Sequence, residues 1–200
     1  MGNLFVLIGL PGSGKTTFAN AMMESGKNIV YLSSDELRKE YIKDKDNHVV
    51  IFNEMHRRTL ENLNAGNDVI YDSTNLEIKF RKNLFDKVKA MYKDSKVYAI
   101  FIHKGLENAI LQSHGRAGRE DVNDDLISQM YQTMQLPSIG IDCDSIIMPE
   151  INFVNDRYRL TGSKIFGISN FNDFLNEVQK TDRSLVLKYN KEFEEDKDEI

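Results

Sequence analysis

Two hundred residues, 40% of them hydrophobic, suffice for one compact domain with a true core and a small appendage. No run reaches the ~20 apolar residues of a membrane helix, and a net charge of −5 excludes a broadly basic nucleic-acid binder. The last ten residues, KEFEEDKDEI, carry −4 of that charge, so a near-neutral body with a local basic groove stays open. The start MGNLFVLIGL lacks the basic flank and cleavage site of a secretory signal, and it reads as a first buried strand. The single Cys143 has no partner for an internal disulfide, which points to a reducing cytoplasm.

In chain order, strands are expected at Leu4–Ile8, Asn28–Leu32, Asp68–Tyr71, Lys96–His103 and Ser145–Met148. Continuous apolar runs such as LFVLI and VYAIFI fit strands buried on both faces. Between them, helices are expected near Lys15–Glu24, Asp35–Lys43, Val49–Leu63, Glu77–Tyr92, Leu106–Ser113 and Val122–Met134. In the third of these, Val49, Phe52, Met55, Leu60 and Leu63 form an apolar stripe, and Gly66 is a helix stop. Beyond Pro137, IIMPEINF reads as a last strand followed by irregular chain. ISNFNDFLNEVQK reads as a helix capped by Ser169 or Asn170. The acidic tail is expected to be disordered.

The chemistry begins at Gly9-Leu10-Pro11-Gly12-Ser13-Gly14-Lys15-Thr16, followed by Thr17, which matches G-x-x-x-x-G-K-[ST] in full. Glycines let successive backbone N–H groups turn toward phosphate oxygens, and the following helix adds its positive end. Lys15 then serves the β- and γ-phosphates of ATP or another nucleoside triphosphate, and Thr16 takes a Mg2+ position. Since the motif leaves an apolar strand and opens a helix, an ordinary Gly-rich turn is a poor account of it. The fold expected is α/β of the P-loop NTPase type, with a mostly parallel five-stranded sheet and helices on both faces.

In such sheets ligands sit beyond the carboxyl ends of the strands. Two polar clusters fall there, Ser33-Ser34-Asp35-Glu36-Leu37-Arg38 after the second strand and Asp72-Ser73-Thr74-Asn75 after the third. Asp35 is placed to take a proton from an attacking hydroxyl, or else Ser34 or Asp35 merely caps the helix. Arg38, one turn on, either holds a phosphate or is a solvated surface residue. Asp72 is the magnesium-side carboxylate or a turn aspartate, and Thr74 and Asn75 orient substrate or build the turn. Arg81 and Lys82 line a nucleic-acid groove or a solvated helix face. His56 reads as a surface residue, and Met55, Met91, Met130 and Met134 as core packing.

The segments GLPGSGKTT, SSDELR, VIYDSTNL and GRAGREDVNDDLISQMYQTMQLP resemble, in order and spacing, the kinase domain of phage-type polynucleotide 5′-kinases and the wider P-loop kinases around it. The likeness runs from about residue 3 to Pro137. It implies a general-base role for Asp35 on a 5′-hydroxyl of RNA or DNA, with Arg38 near the acceptor. It also implies a lid, about residues 113–122, whose arginine over the triphosphate is Arg116 or Arg119. Where the family often has Arg-Asn before the lid and Val-Pro after it, this chain has Gln112-Ser113 and Val122-Asn123. On this reading residues 1–150 are the kinase domain, 151–190 a C-terminal extension packed on or near it, and 191–200 the tail. The extension is a substrate-side flap, a contact for a ligase partner, or sheet cover. Rival readings are a kinase for a small-molecule hydroxyl (a metabolite, antibiotic or nucleotide sugar) and a non-catalytic ATP-binding switch. Neither the acceptor nor the oligomeric state follows from the sequence.

Overall fold

A computed structural model of the chain describes residues 1–24, 28–114, 122–154 and 157–195. A central strand β1 (Leu4–Ile8) is flanked by β3 (Asp68–Asp72) and β4 (Val97–Phe101). β2 (Ile29–Ser33) lies outside β3, and β5 (Ser145–Val154) outside β4. All these neighbours run parallel, Leu4 standing opposite both Val69 and Val97. A sixth strand, β6 (Arg157–Phe166), closes the order β2-β3-β1-β4-β5-β6 and runs antiparallel to β5.

The sheet therefore has six strands and not five, and the stretch expected to be irregular after Met148 is strand. Pro149 is the reason for the error, because proline removes a ladder donor. Here it lies past the last parallel pair, Ile100 with Ile147, where β5 has left β4 and pairs with β6 alone. YRLTGSK, Tyr158 to Lys164, to which the sequence assigns no role, forms most of β6.

Alternation along β1 divides the core. Leu4 and Val6 pack with Ile51, Met55 and Leu63 of α3 (His48–Asn64) and Leu84 and Val88 of α4 (Ile78–Met91). Leu7 packs on the opposite face with Phe18 and Ala19 of α1 (Lys15–Met23). A third cluster joins Ile8 and Phe101 to α5 (Leu106–Ser113), α6 (Asp124–Thr133), α7 (Phe171–Thr181) and α8 (Arg183–Glu195). The α3 stripe differs from the expected one. Val49 is 69% exposed, and the buried row is Ile51, Met55, Thr59 and Leu63. Thr59 fits this row because its hydroxyl donates to the Met55 carbonyl (2.8 Å).

Helix α8 has no counterpart in the sequence reading, and it continues through Glu195, into the first half of the acidic tail. Asp182 links it to α7. Its Oδ1 accepts from the Ser184 and Leu185 N–H groups, and its Oδ2 accepts from Tyr131 Oη (2.7 Å) and lies 2.8 Å from His103 Nε2. Burial lowers the His103 pKa, while Asp182 pulls it the other way. Lys188 of α8 donates to the carbonyls of Gln132 and Met134 at the C-terminal end of α6, where a cation suits the helix dipole. Asp182 and Lys188 thus anchor α6, which forms one wall of the site below. No helix among the described residues is long and apolar enough to cross a membrane.

Candidate active site

β1 ends at Ile8, and the chain turns through Gly9–Gly14 into α1. The turn needs its glycines for identifiable reasons. Gly12 has φ +87°, and a Cβ there would stand 2.2 Å from the Ala109 carbonyl oxygen. At Gly9 a Cβ would lie 2.5 Å from both the Ile102 carbonyl and Ser13 Oγ. Gly14, at φ +106°, is the N-cap of α1, so the helix presents its first N–H groups to the loop. Lys15 folds back over the turn, its ammonium donating to the carbonyls of Gly9 (2.8 Å) and Leu10 (2.9 Å). The loop is tied to the exit of β3 through Gly9 N–H to Thr74 O (3.1 Å).

A cleft of about 570 Å³ opens at the carboxyl ends of β1, β2 and β3. Pro11, Lys15 and Thr16 form its floor. Ser33, Ser34 and Asp35 line it from the β2 end, and Asp72, Ser73 and Thr74 from the β3 end. The structure thus brings together the phosphate loop and both acidic clusters. Asp35 is exposed in the first turn of α2 (Ser34–Glu40), and the cap of that helix is Ser33, whose Oγ accepts from the Asp35 N–H (3.2 Å). Capping by Ser34 or Asp35 is therefore replaced by capping by Ser33.

Asp72 is only 7% exposed, and Tyr31 Oη donates to its Oδ2 at 2.5 Å. Burial first, and then the Asp72 charge, push the Tyr31 phenol far above its ordinary range, so it remains a donor. Thr16 and Asp72 supply hard oxygen donors in one cleft, and no cluster of three metal-ligating side chains exists among the described residues. That sparse set fits Mg2+, which keeps waters and takes phosphate oxygens rather than filling an all-protein cage.

The other candidate residues take these places. Arg38 is not among the residues that line the cleft; it reaches the segment after α2, donating to the Lys45 carbonyl and lying 3.0 Å from His48 Nδ1. Asn75 builds the turn: its backbone has φ +48°, and its amide donates to the Leu7 carbonyl (2.7 Å). Arg81 is neither groove nor solvated face. It is buried, with Nε 2.7 Å from Asp142 Oδ2, and its guanidinium also donates to the carbonyls of Asn75, Leu76 and Leu136. Lys82 pairs with Asp86 on the surface. His56 is also moved inward. It is half-buried against Tyr71 and 3.0 Å from Lys87 Nζ, and burial with the Lys87 charge lowers its pKa to about 4. The two lid arginines, Arg116 and Arg119, lie outside the described residues.

No sequence motif marks Lys39 or the apolar wall of Val122 and Leu126 in the cleft, nor Tyr31, which reaches Asp72 from β2. Lys39 was legible as the residue one helical turn beyond Asp35 on the same face. Met130 packs against the core as expected and also lines the cleft, and Met91 is 58% exposed, whereas Met55 and Met134 are buried as expected.

Residues 4–137 match the model of the AAA domain family AAA_33, and the chain belongs to this family of P-loop kinase-like domains. No curated protein matches the chain significantly. Three solved structures share the fold at low identity. A chain of the Pnkp1/Rnl/Hen1 RNA repair complex is 20% identical, with TM-score 0.56 over 66% of this chain and 43% of that one. A fungal RNA kinase is 16% identical, with TM-score 0.57 over 90% of this chain and 44% of that one. A gluconokinase from Sinorhizobium meliloti 1021 is 18% identical, with TM-score 0.52 over 74% of this chain and 81% of that one. The chain therefore spans less than half the length of the two RNA-related proteins.

The loop geometry makes a direct prediction. Gly12→Ala forces both a left-handed backbone and a clash with the Ala109 carbonyl, so the affinity for a fluorescent ATP analogue should fall at least about tenfold. Gly66→Ala, also at positive φ but in open space, should leave that affinity unchanged. Wild-type nucleotide affinity in the Gly12 variant would contradict the phosphate role of the loop.

Proposed function

We propose that the chain transfers the γ-phosphoryl group of ATP to the 5′-hydroxyl end of an RNA or DNA strand. The observation that carries the transfer is the convergence of Lys15, Thr16, Asp72 and Asp35 on one cleft at the sheet's carboxyl edge. Backbone N–H groups of Gly12 to Thr16 receive the triphosphate. Lys15 exchanges the Gly9 and Leu10 carbonyls for phosphate oxygens, and Thr16 and Asp72 would hold Mg2+ directly or through water. Mg2+ held there would supply charge neutralisation to the triphosphate. Asp35, solvent-accessible beside the phosphate floor, takes the proton from the attacking hydroxyl. An arginine of the lid, Arg116 or Arg119, neutralises charge that develops during transfer.

The polynucleotide acceptor rests on the likeness of SSDELR and YDSTN to the phage-type kinases, and on the RNA repair and RNA kinase chains among the structural neighbours. Its product, a 5′-phosphate end, is what a strand-sealing ligase consumes. A small-molecule acceptor is the second reading, favoured by the fit to the gluconokinase over most of that chain. The two separate by salt. Contacts to a phosphate backbone release counterions, so KM for a 5′-hydroxyl oligonucleotide should rise steeply with ionic strength, while KM for a neutral sugar should not. Transfer screened over 5′-hydroxyl RNA, 5′-hydroxyl DNA, nucleosides and sugars should label the nucleic acids. Label on sugars alone would overturn the acceptor and keep the kinase.

A further inference from the structure

Tyr31 is unassigned by any motif, and its place follows from strand geometry. On β2 it stands two residues before Ser33, so both side chains point to the same face of the sheet. The register sets Tyr31 opposite Ile70 and Ser33 opposite Asp72, which makes Asp72 the diagonal neighbour of Tyr31 on that face. Diagonal neighbours are within reach of an aromatic side chain, and the phenol spans the gap to Asp72 Oδ2 at 2.5 Å.

Asp72 is the last residue of β3 and the only one of that strand on the cleft. An aspartate at a strand end has a broad rotation about its terminal torsion, so the direction in which its oxygens face the cleft needs an external constraint. A donor fixed on the neighbouring strand supplies one. We infer that Tyr31 is a positioning residue, which holds one oxygen of Asp72 so that the carboxylate meets the metal–nucleotide complex in a single orientation. This rests on the proposed metal-side role of Asp72.

The bland account is a cross-strand tie that merely adds stability. Tyr31→Phe separates the two, because it keeps the ring packing and removes only the hydroxyl. The measurement is Mn2+ binding to the full chain saturated with a non-hydrolysable ATP analogue, followed by electron paramagnetic resonance. The variant should bind Mn2+ about tenfold more weakly, the scale of losing a carboxylate's outer-shell partner. Its metal-free affinity for the analogue should stay that of wild type. In an Asp72→Asn background the same change should have no further effect on Mn2+, and Tyr31→Met should repeat the Phe result. A lowered thermal midpoint with wild-type Mn2+ affinity would overturn the inference and leave a structural tie. Failure of the wild-type chain to bind Mn2+ with the analogue would remove the metal role of Asp72 itself, and the inference with it.

Discussion

Asp35→Asn should lower phosphoryl transfer by about 10²–10⁴-fold, the range of a positioned general base, while ATP affinity stays near that of wild type. The substitution is informative because the cap and the buried anchor of α2 are other residues. Ser33 caps α2, Leu37 is the buried anchor of that helix, and Asp35 lies exposed in the first turn. Asparagine keeps the size of the side chain and loses only the charge. A carboxylate in the first turn stabilises a helix by about 0.3–1 kcal/mol, so unfolding in denaturant should shift on that scale. Turnover equal to wild type would remove Asp35 from the base role, and a large fall in stability would refute the account of the cap.

Arg81→Met should produce the largest loss of stability, about 3–5 kcal/mol by chemical denaturation, because it strands the Asp142 carboxylate in the interior. The side chains of the pair are 1% and 0% exposed, and burial already raises the Asp142 pKa against the pull of Arg81. Asp142 Oδ1 also accepts from the Ser138 N–H (2.7 Å), so the pair pins the segment after α6. On its other side Arg81 holds the Asn75 and Leu76 carbonyls, next to Thr74 in the cleft. The double variant Arg81→Met with Asp142→Leu should recover a good part of the loss, since apolar replacement of a buried pair is often neutral. A single variant as stable as wild type would show that the pair does not hold these segments together.

Arg81 also shows where the sequence stops being legible. KFRKNLFDKVKAMY alternates charge and apolar residues like any surface helix, and its partner Asp142 is 61 residues away. Nothing local separates Arg81, buried, from Lys82, exposed. The same holds for His56, whose burial depends on Tyr71 and Lys87. Arg38 kept its place in the sequence pattern but took its orientation from Lys45 and His48, which no spacing rule addresses.

What was legible is local. The phosphate loop is written in consecutive residues, and its backbone needs glycine at Gly12 and Gly14 in this chain. Strands β1 to β4 fall close to their expected positions because runs such as LFVLI are buried on both faces and bounded by polar turns. The two acidic clusters lie at the cleft for a topological reason: in a parallel sheet every strand delivers its exit loop to the same edge. β6 escaped the sequence because its antiparallel return past Pro149 falls outside the parallel pattern, and α8 because its apolar residues Leu185 and Val186 lead into a strongly charged stretch that reads as solvated chain.

If Asp35 and the phosphate loop act on one bound ATP, single-turnover transfer from ATP labelled at the γ-position to a 5′-hydroxyl oligonucleotide, with Mg2+ and enzyme in excess, should place label at the 5′ end of the strand with the wild-type chain. With Lys15→Ala or Asp35→Asn the rate should be lower by orders of magnitude. No label with the wild-type chain on this strand or on any other hydroxyl acceptor, or an undiminished rate with both variants, would contradict that joint action.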